Sequence, residues 1–308
     1  MTNPPRVSVI TPFLDPDPRF LAEAVESVLA QSFQSWELLL VNDGSGPEAT
    51  REAEEWAARH PDRIQVLAHS DRGNRGPPAT RNLGLAHSRG ELVAFLDADD
   101  VWLPRRLQTH VELLDAHPGV AMVYGPTLYW RSWDGGDAGD FTPALGVPTH
   151  TPLDPRALLV HLVSGAVAVP CPTSTTCRTE TVRRVKGFVD PFPWPTEDQA
   201  FYVRMLLAEP ALATNEVLDR YRQHPSATTS NPRPADEARW RAEFLLWVRS
   251  YVRESGVQLP KLERTVRTEL WALDHPRGAR LLRGLRSLRR RLHPGGTVPV
   301  QLGDGRVR

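Results

Sequence analysis

Apolar positions in the first 125 residues follow two different spacings, and the switch between them marks out the elements. Short runs rich in Val, Ile and Leu at 7–11, 36–41, 64–67, 92–96 and 120–124 read as buried strands. The stretches between them return to helical spacing. Over 20–30, Leu21, Ala24, Val25, Val28 and Leu29 fall on one face. Helices are likewise predicted over 47–59, 78–88 and 104–116, the second closed by Arg89-Gly90. Strands joined by helices of this length form right-handed βαβ units. The predicted class is therefore α/β, a mainly parallel nucleotide-binding sheet flanked by helices.

Beyond Tyr124 the pattern loosens. Residues 131–152, rich in Gly, Asp, Pro and Thr, read as a long loop. A strand is expected over 173–177 and a helix over 179–185. A further helix over 197–208 carries Phe201, Met205 and Ala208 on one face, and a tryptophan-bearing amphipathic helix spans 237–252.

Charge changes this picture more than bulk composition does. The net charge of zero conceals nine arginines and one acid from Arg277 onward, which leaves the preceding part at −8. An acidic body argues against nucleic acid as a partner of the core. Cys171 and Cys177 form neither a disulfide framework nor a zinc spacing, and are expected as reduced thiols. The N-terminus lacks the apolar stretch of a signal peptide. The longest apolar run, 157–169, is broken by His161, Ser164 and Gly165 and is too short for a bilayer. A cytoplasmic location is expected.

The sharpest chemistry lies where the strand over 92–96 empties into Asp97-Ala98-Asp99-Asp100. Ligands of open α/β sheets collect beyond the carboxyl ends of the strands. Residues two apart in an extended chain point to the same side, so Asp97 and Asp99 are expected to face the crevice together. Adjacent carboxylates repel unless a cation or proton lies between them. Hard oxygen ligands of this kind suit Mg²⁺ or Mn²⁺, which in turn clamp a diphosphate. Capping of the following helix accounts for one carboxylate, with Asp100 the best placed, but not for three.

Several short motifs occur in order: Val7-Ser-Val-Ile-Thr-Pro12, Val41-Asn-Asp43-Gly-Ser45, Arg81-Asn82-Leu-Gly84 and Leu96-Asp97-Ala-Asp99-Asp100. Gly187-Phe188, Thr196-Glu197-Asp198 and Tyr221-Arg222-Gln-His224 follow. Together they resemble family 2 glycosyltransferases, inverting enzymes of the GT-A fold, over about residues 5–230. The resemblance implies a GT-A domain over 1–230. Residues 1–125 form its nucleotide-binding half and 126–230 the half bearing the acceptor site and catalytic base. Residues 231–308 form a helical extension outside the resemblance.

By that resemblance Thr11, Pro12 and Asp43 hold the nucleobase, and a carboxylate at 43 suits the imide N–H of uracil or thymine. The stretch from Asn42 to Ser45 is also a good turn sequence in its own right. Arg81 is implied on the diphosphate, which an Arg fork meets bidentately; a surface helix Arg is the plain alternative. The segment 71–78 departs from the commoner small-residue loop, and Arg72 and Arg75 receive no role. Asp99 is implied on the metal, Mn²⁺ or Mg²⁺, with Asp97 near ribose or metal and His224 adding a late metal contact. Asp198 is implied as the base that takes the acceptor proton. Glu197 is placed with the acceptor site, and fits as well the plain preference of acids for helix N-termini. Trp194 is placed beside the base, either stacking on an acceptor sugar or packing.

The resemblance implies a metal-dependent transferase moving sugar from a nucleotide-diphosphate donor, a UDP-sugar foremost, to a glycan or lipid-linked acceptor. A non-catalytic nucleotide-sugar binding protein of the same fold is the alternative, and it has no need of Asp198. A nucleotidyltransferase needs a Gly-rich loop after the first strand, and a dehydrogenase needs G-x-G-x-x-G; both are missing. Within 277–291, Leu281, Leu285 and Leu288 oppose Arg280, Arg283, Arg286, Arg290 and Arg291, continuing to Leu292. That basic amphipathic pattern suits either peripheral contact with an anionic membrane or packing on the domain.

Overall fold

The computed structural model describes residues 4–136, 139–192, 196–225 and 234–275. The chain begins with strand β1 (Val7–Phe13), helix α1 (Pro18–Leu29), strand β2 (Trp36–Asn42) and helix α2 (Pro47–Arg59). It continues through β3 (Ile64–Ala68), α3 (Pro77–His87), β4 (Leu92–Phe95), the short β5 (Val101–Trp102) and α4 (Arg106–Ala116). Then come β6 (Met122–Tyr124), β7 (Leu128–Trp130), α5 (Pro155–Val163), β8 (Thr175–Arg178), α6 (Thr179–Arg184) and α7 (Glu197–Ala208). Strands β9 (Ala211–Ala213) and β10 (Asp219–Arg222) and helices α8 (Pro234–Glu254) and α9 (Pro260–Asp274) complete the described elements.

Seven strands form one sheet in the order β3-β2-β1-β4-β8-β6-β9, and β5-β10-β7 form a second, small sheet. In the large sheet only β8 runs against its neighbours. Alternation along the central strands divides the core between the two faces. Val7, Val9, Leu38, Leu40, Leu92 and Ala94 pack with α1, α2 and α4, while Ile10, Leu39, Val41, Val93 and Phe95 face the other way. Helices α8 and α9 join that second face through Phe244, Leu245, Val248, Leu262 and Val266. Among the described residues no helix is long and apolar enough to cross a membrane.

Local signals explain most boundaries. The Asp17 side chain accepts the Arg19 N–H at the start of α1, and Pro18, Pro47 and Pro77 open their helices, where the missing N–H costs nothing. Four expectations shift. The helix expected from Pro104 starts at Arg106, and Asp100 does not cap it; it is wholly buried and bonded elsewhere. The strand expected over 173–177 is Thr175–Arg178 and antiparallel. Short strands β5, β7, β9 and β10 carry too few residues to show a period. Helix α5 overlaps the first part of the apolar run, started by the Asp154 carboxylate accepting the Arg156 N–H.

Gly84 in α3 marks a close approach of helix to sheet. A methyl group there would sit 2.5 Å from Ile10 Cγ2 and 3.2 Å from Val41 Cγ2. Gly84→Ala is expected to cost about 1–3 kcal/mol through overpacking, despite the better helix propensity of Ala. A thermal melt checks it, and an unchanged or higher midpoint contradicts this account of the packing.

Candidate active site

Because β1, β2 and β4 are parallel and adjacent, their carboxyl ends deliver Pro12, Phe13, Asp43 and, two residues beyond β4, Asp97 to one edge of the sheet. A cleft of about 940 Å³ opens there. Helix α3 brings Arg81, the N-terminus of α7 brings Glu197 and Asp198, and the chain after β10 brings His224. Pro12, Asp43, Arg81, Asp97, Asp99, Glu197, Asp198 and His224 therefore meet in one cavity. Thr11 is the exception. It is buried in β1 opposite Leu40, its hydroxyl has no hydrogen-bond partner among the described residues, and it is not part of the cleft lining. Trp194 and the basic stretch 277–291 lie outside the described residues.

Asp43 is held rather than merely exposed. Its two oxygens accept the Arg75 N–H at 2.8 Å and the Gly76 N–H at 3.1 Å, and His69 Nε2 lies 3.7 Å away. The loop before α3, to which no role was assigned, thus fixes this carboxylate through its backbone. The close approach requires Gly44 at φ +89°, where a Cβ would stand 2.6 Å from the Asn74 nitrogen.

Arg81 is buried between two carboxylates. Its Nη2 donates to Asp97 Oδ1 at 2.6 Å, and Nη1 lies 3.6 Å from Glu197 Oε1. Burial lowers the guanidinium pKa, but Asp97 and Glu197 more than offset that, and the net shift is upward. Its Nε and Nη1 have no hydrogen-bond partner among the described residues. The surface-arginine alternative is thereby excluded.

On the other side, His224 Nε2 is 3.0 Å from Asp99 Oδ2, and the Phe20 ring packs 5.1 Å from the imidazole. Asp198 accepts the Gln199 N–H at 2.7 Å. Burial, and after it the nearby Glu197, push the Asp198 carboxyl up to about 8. Glu197 is also raised, by burial against the opposing pull of Arg81.

Among the described residues the cleft therefore presents seven carboxylates, from Asp15, Asp17, Asp43, Asp97, Asp99, Glu197 and Asp198, against one guanidinium and one imidazole. Such a surface repels an anion unless a cation enters with it. Among the described residues no three His, Cys, Asp or Glu side chains converge as a closed metal cage. The Asp99–His224 pair instead suits an open site, since Mg²⁺ is commonly bound by one or two carboxylates together with substrate phosphates and water. Aromatic walls complete the cleft: Tyr129 and Tyr221 stand edge to face at 5.3 Å, and Trp133 packs on Phe20 at 5.2 Å. Tyr221 belongs to a motif, but sequence spacing gave no sign of Tyr129 and Trp133, which come from the small second sheet and the loop region after it.

Residues 8–179 match the model described as Glycosyl transferase family 2. The succinoglycan biosynthesis protein ExoW of Rhizobium meliloti is 33% identical over 135 residues, which is 43% of this chain and 39% of that protein. The chain spans less than half the length of the curated relatives it matches. Two solved structures share the fold. Residues 1–349 of TarS from S. aureus, in complex with UDP-GlcNAc, superpose with a TM-score of 0.66 at 16% identity, covering 87% of this chain and 72% of that one. A mannosyltransferase from Pyrobaculum calidifontis, in complex with GDP-Man and Mn²⁺, gives a TM-score of 0.61 at 20% identity, covering 97% and 78%.

Proposed function

This chain belongs to glycosyl transferase family 2, and on that premise we propose that it is an inverting transferase. It would move a sugar from a nucleotide-diphosphate donor, a UDP-sugar foremost, to a hydroxyl of a glycan or lipid-linked acceptor. One observation carries the reading: a carboxylate with raised pKa, Asp198, shares a cleft with the buried Arg81 and the Asp99–His224 pair.

Each residue has a physical task. Asp43, steadied by two backbone N–H groups, accepts the N–H of the base, and uracil, thymine and guanine all offer one. The two unpartnered nitrogens of Arg81 donate to diphosphate oxygens. Asp99 and His224 are the residues that would hold Mn²⁺ or Mg²⁺, and a bound ion supplies the positive charge that the acidic cleft lacks. As the acceptor oxygen bonds to the anomeric carbon, Asp198 takes its proton and the bond from that carbon to the diphosphate breaks. Attack from the face opposite the leaving group inverts the centre. Arg81 meets the charge that develops on the diphosphate. Tyr129, Tyr221 and Trp133 offer flat apolar faces of the kind that sugar rings pack on. The basic amphipathic pattern of 277–291 supports peripheral contact with an anionic membrane, where a lipid-linked acceptor resides.

Thermal shift against UDP, TDP, GDP and their sugar conjugates, with and without Mn²⁺, tests the donor site. A metal-dependent rise for one nucleotide, abolished in Asp99→Ala, is expected. No rise with any nucleotide overturns the reading.

A further inference from the structure

Asp99 and His224 lie 125 residues apart, yet their side chains meet at 3.0 Å. Pairing of β10 with β5 covers only Asp219 and Arg220, so the strand ladder stops short of the residues that must be registered. A different device bridges the gap. Asp100 Oδ1 accepts the backbone N–H of Arg222 at 3.0 Å, while Arg222 Nε donates to the backbone carbonyl of Asp99 at 2.7 Å. The side chain of each segment thus grips the backbone of the other, immediately beside Asp99 and two residues before His224.

Both grips are themselves immobilised. Asp100 Oδ2 accepts the Thr173 hydroxyl at 2.6 Å, and Thr173 Oγ1 in turn accepts the Asp97 N–H at 3.3 Å. The Arg222 guanidinium pairs with Glu23 and lies 4.3 Å from the Phe20 ring and 4.6 Å from the Trp130 ring. Phe20 is also the ring against which His224 packs. Asp100 and Arg222 are 0% and 1% exposed. Burying a carboxylate and a guanidinium is costly unless geometry and partners are nearly complete, and here the satisfied bonds converge on one boundary.

We propose that Asp100 and Arg222 form a reciprocal clamp whose task is positioning: it sets the separation of Asp99 and His224 and thereby the affinity of the divalent ion. The proposal rests on the donor-site reading above. It assigns a function to Asp100 that helix capping does not, and to Arg222 one that a core ion pair does not. Groups that orient metal ligands change metal affinity or activity by about 10–100-fold when removed.

The test titrates MnCl₂ calorimetrically into the full chain with saturating UDP or GDP, and records the metal-free melting midpoint of each variant. Arg222→Lys keeps a cation for Glu23 but loses the Nε–H that holds the Asp99 carbonyl. Asp100→Ala removes the other grip. Both are expected to raise the Mn²⁺ dissociation constant about 10–100-fold. Asp100→Asn is expected to stay close to wild type, because its amide oxygen can accept the Arg222 N–H and its NH₂ can donate to Thr173. A lowered midpoint with a Mn²⁺ constant within about twofold of wild type in Arg222→Lys, far below the loss an orienting group produces, overturns the clamp. That variant decides the matter should Asp100→Ala fail to fold. Wild type that takes up no Mn²⁺ with either nucleotide overturns the donor-site reading itself, and the clamp with it.

Discussion

Asp198→Asn is expected to abolish transfer while leaving donor binding intact, and to melt at a higher temperature than wild type. The loss in kcat is set at about 10²–10⁴-fold, the usual contribution of a positioned general base. Asn preserves the volume and the acceptor for the Gln199 N–H, so the donor site is undisturbed. The gain in stability follows from the direction of the shift. Burial and Glu197 raise the folded-state Asp198 carboxyl to about 8, above its unfolded value of about 3.9. The folded state therefore holds a proton that the unfolded chain releases. The favourable contribution is complete below the unfolded value and is lost as pH rises through about 8. Asp198 is half-buried, so solvent screening reduces the contribution to about 1–2 kcal/mol. Asn does not titrate, and its advantage should widen between pH 5 and pH 9, to roughly 2–3 °C in melting midpoint. The same shift sets the activity profile. A base must be ionised to accept a proton, so kcat/KM should rise with pH and level off above about 8. A variant with wild-type turnover, or a flat profile from pH 6 to 9, removes Asp198 from the role.

Arg81→Met is expected to damage both stability and donor binding. The guanidinium is nearly solvent-free, with Asp97 at 2.6 Å and Glu197 at 3.6 Å. Removing the shared cation leaves two carboxylates facing each other in a poorly solvated site, a change that costs about 3–5 kcal/mol. The melting midpoint should fall by roughly 5–8 °C on that basis. Lost hydrogen bonds to a charged diphosphate, at about 1.5–3 kcal/mol, should weaken nucleotide binding by about 10–100-fold. Arg81→Lys retains the charge but not the fork, so it should recover more stability than affinity. Differential scanning calorimetry and a nucleotide titration on both variants separate the two effects. Equal nucleotide affinity in the Met variant shows that Arg81 serves the fold alone.

The sequence by itself determined the parts of this protein that local spacing encodes. Alternation and helical periodicity located the central strands and their helices, because side chains at fixed backbone repeats must share a face to be buried. Helix α2 over Pro47–Arg59 and helix α7 over Glu197–Ala208 lie where the pattern puts them. Motif order also identified the family, since a strand end followed by carboxylates states its chemistry in a few consecutive residues. The tertiary structure decided the rest. It turned β8 antiparallel, buried Thr11 away from the cleft, and gave Asp43 its backbone donors from a loop that had no assigned role. It moved Asp100 from a supposed helix cap to a bond with a backbone 122 residues away, and brought His224 to Asp99. Such pairings depend on how packed layers bring distant segments together, and no repeat along the chain records them.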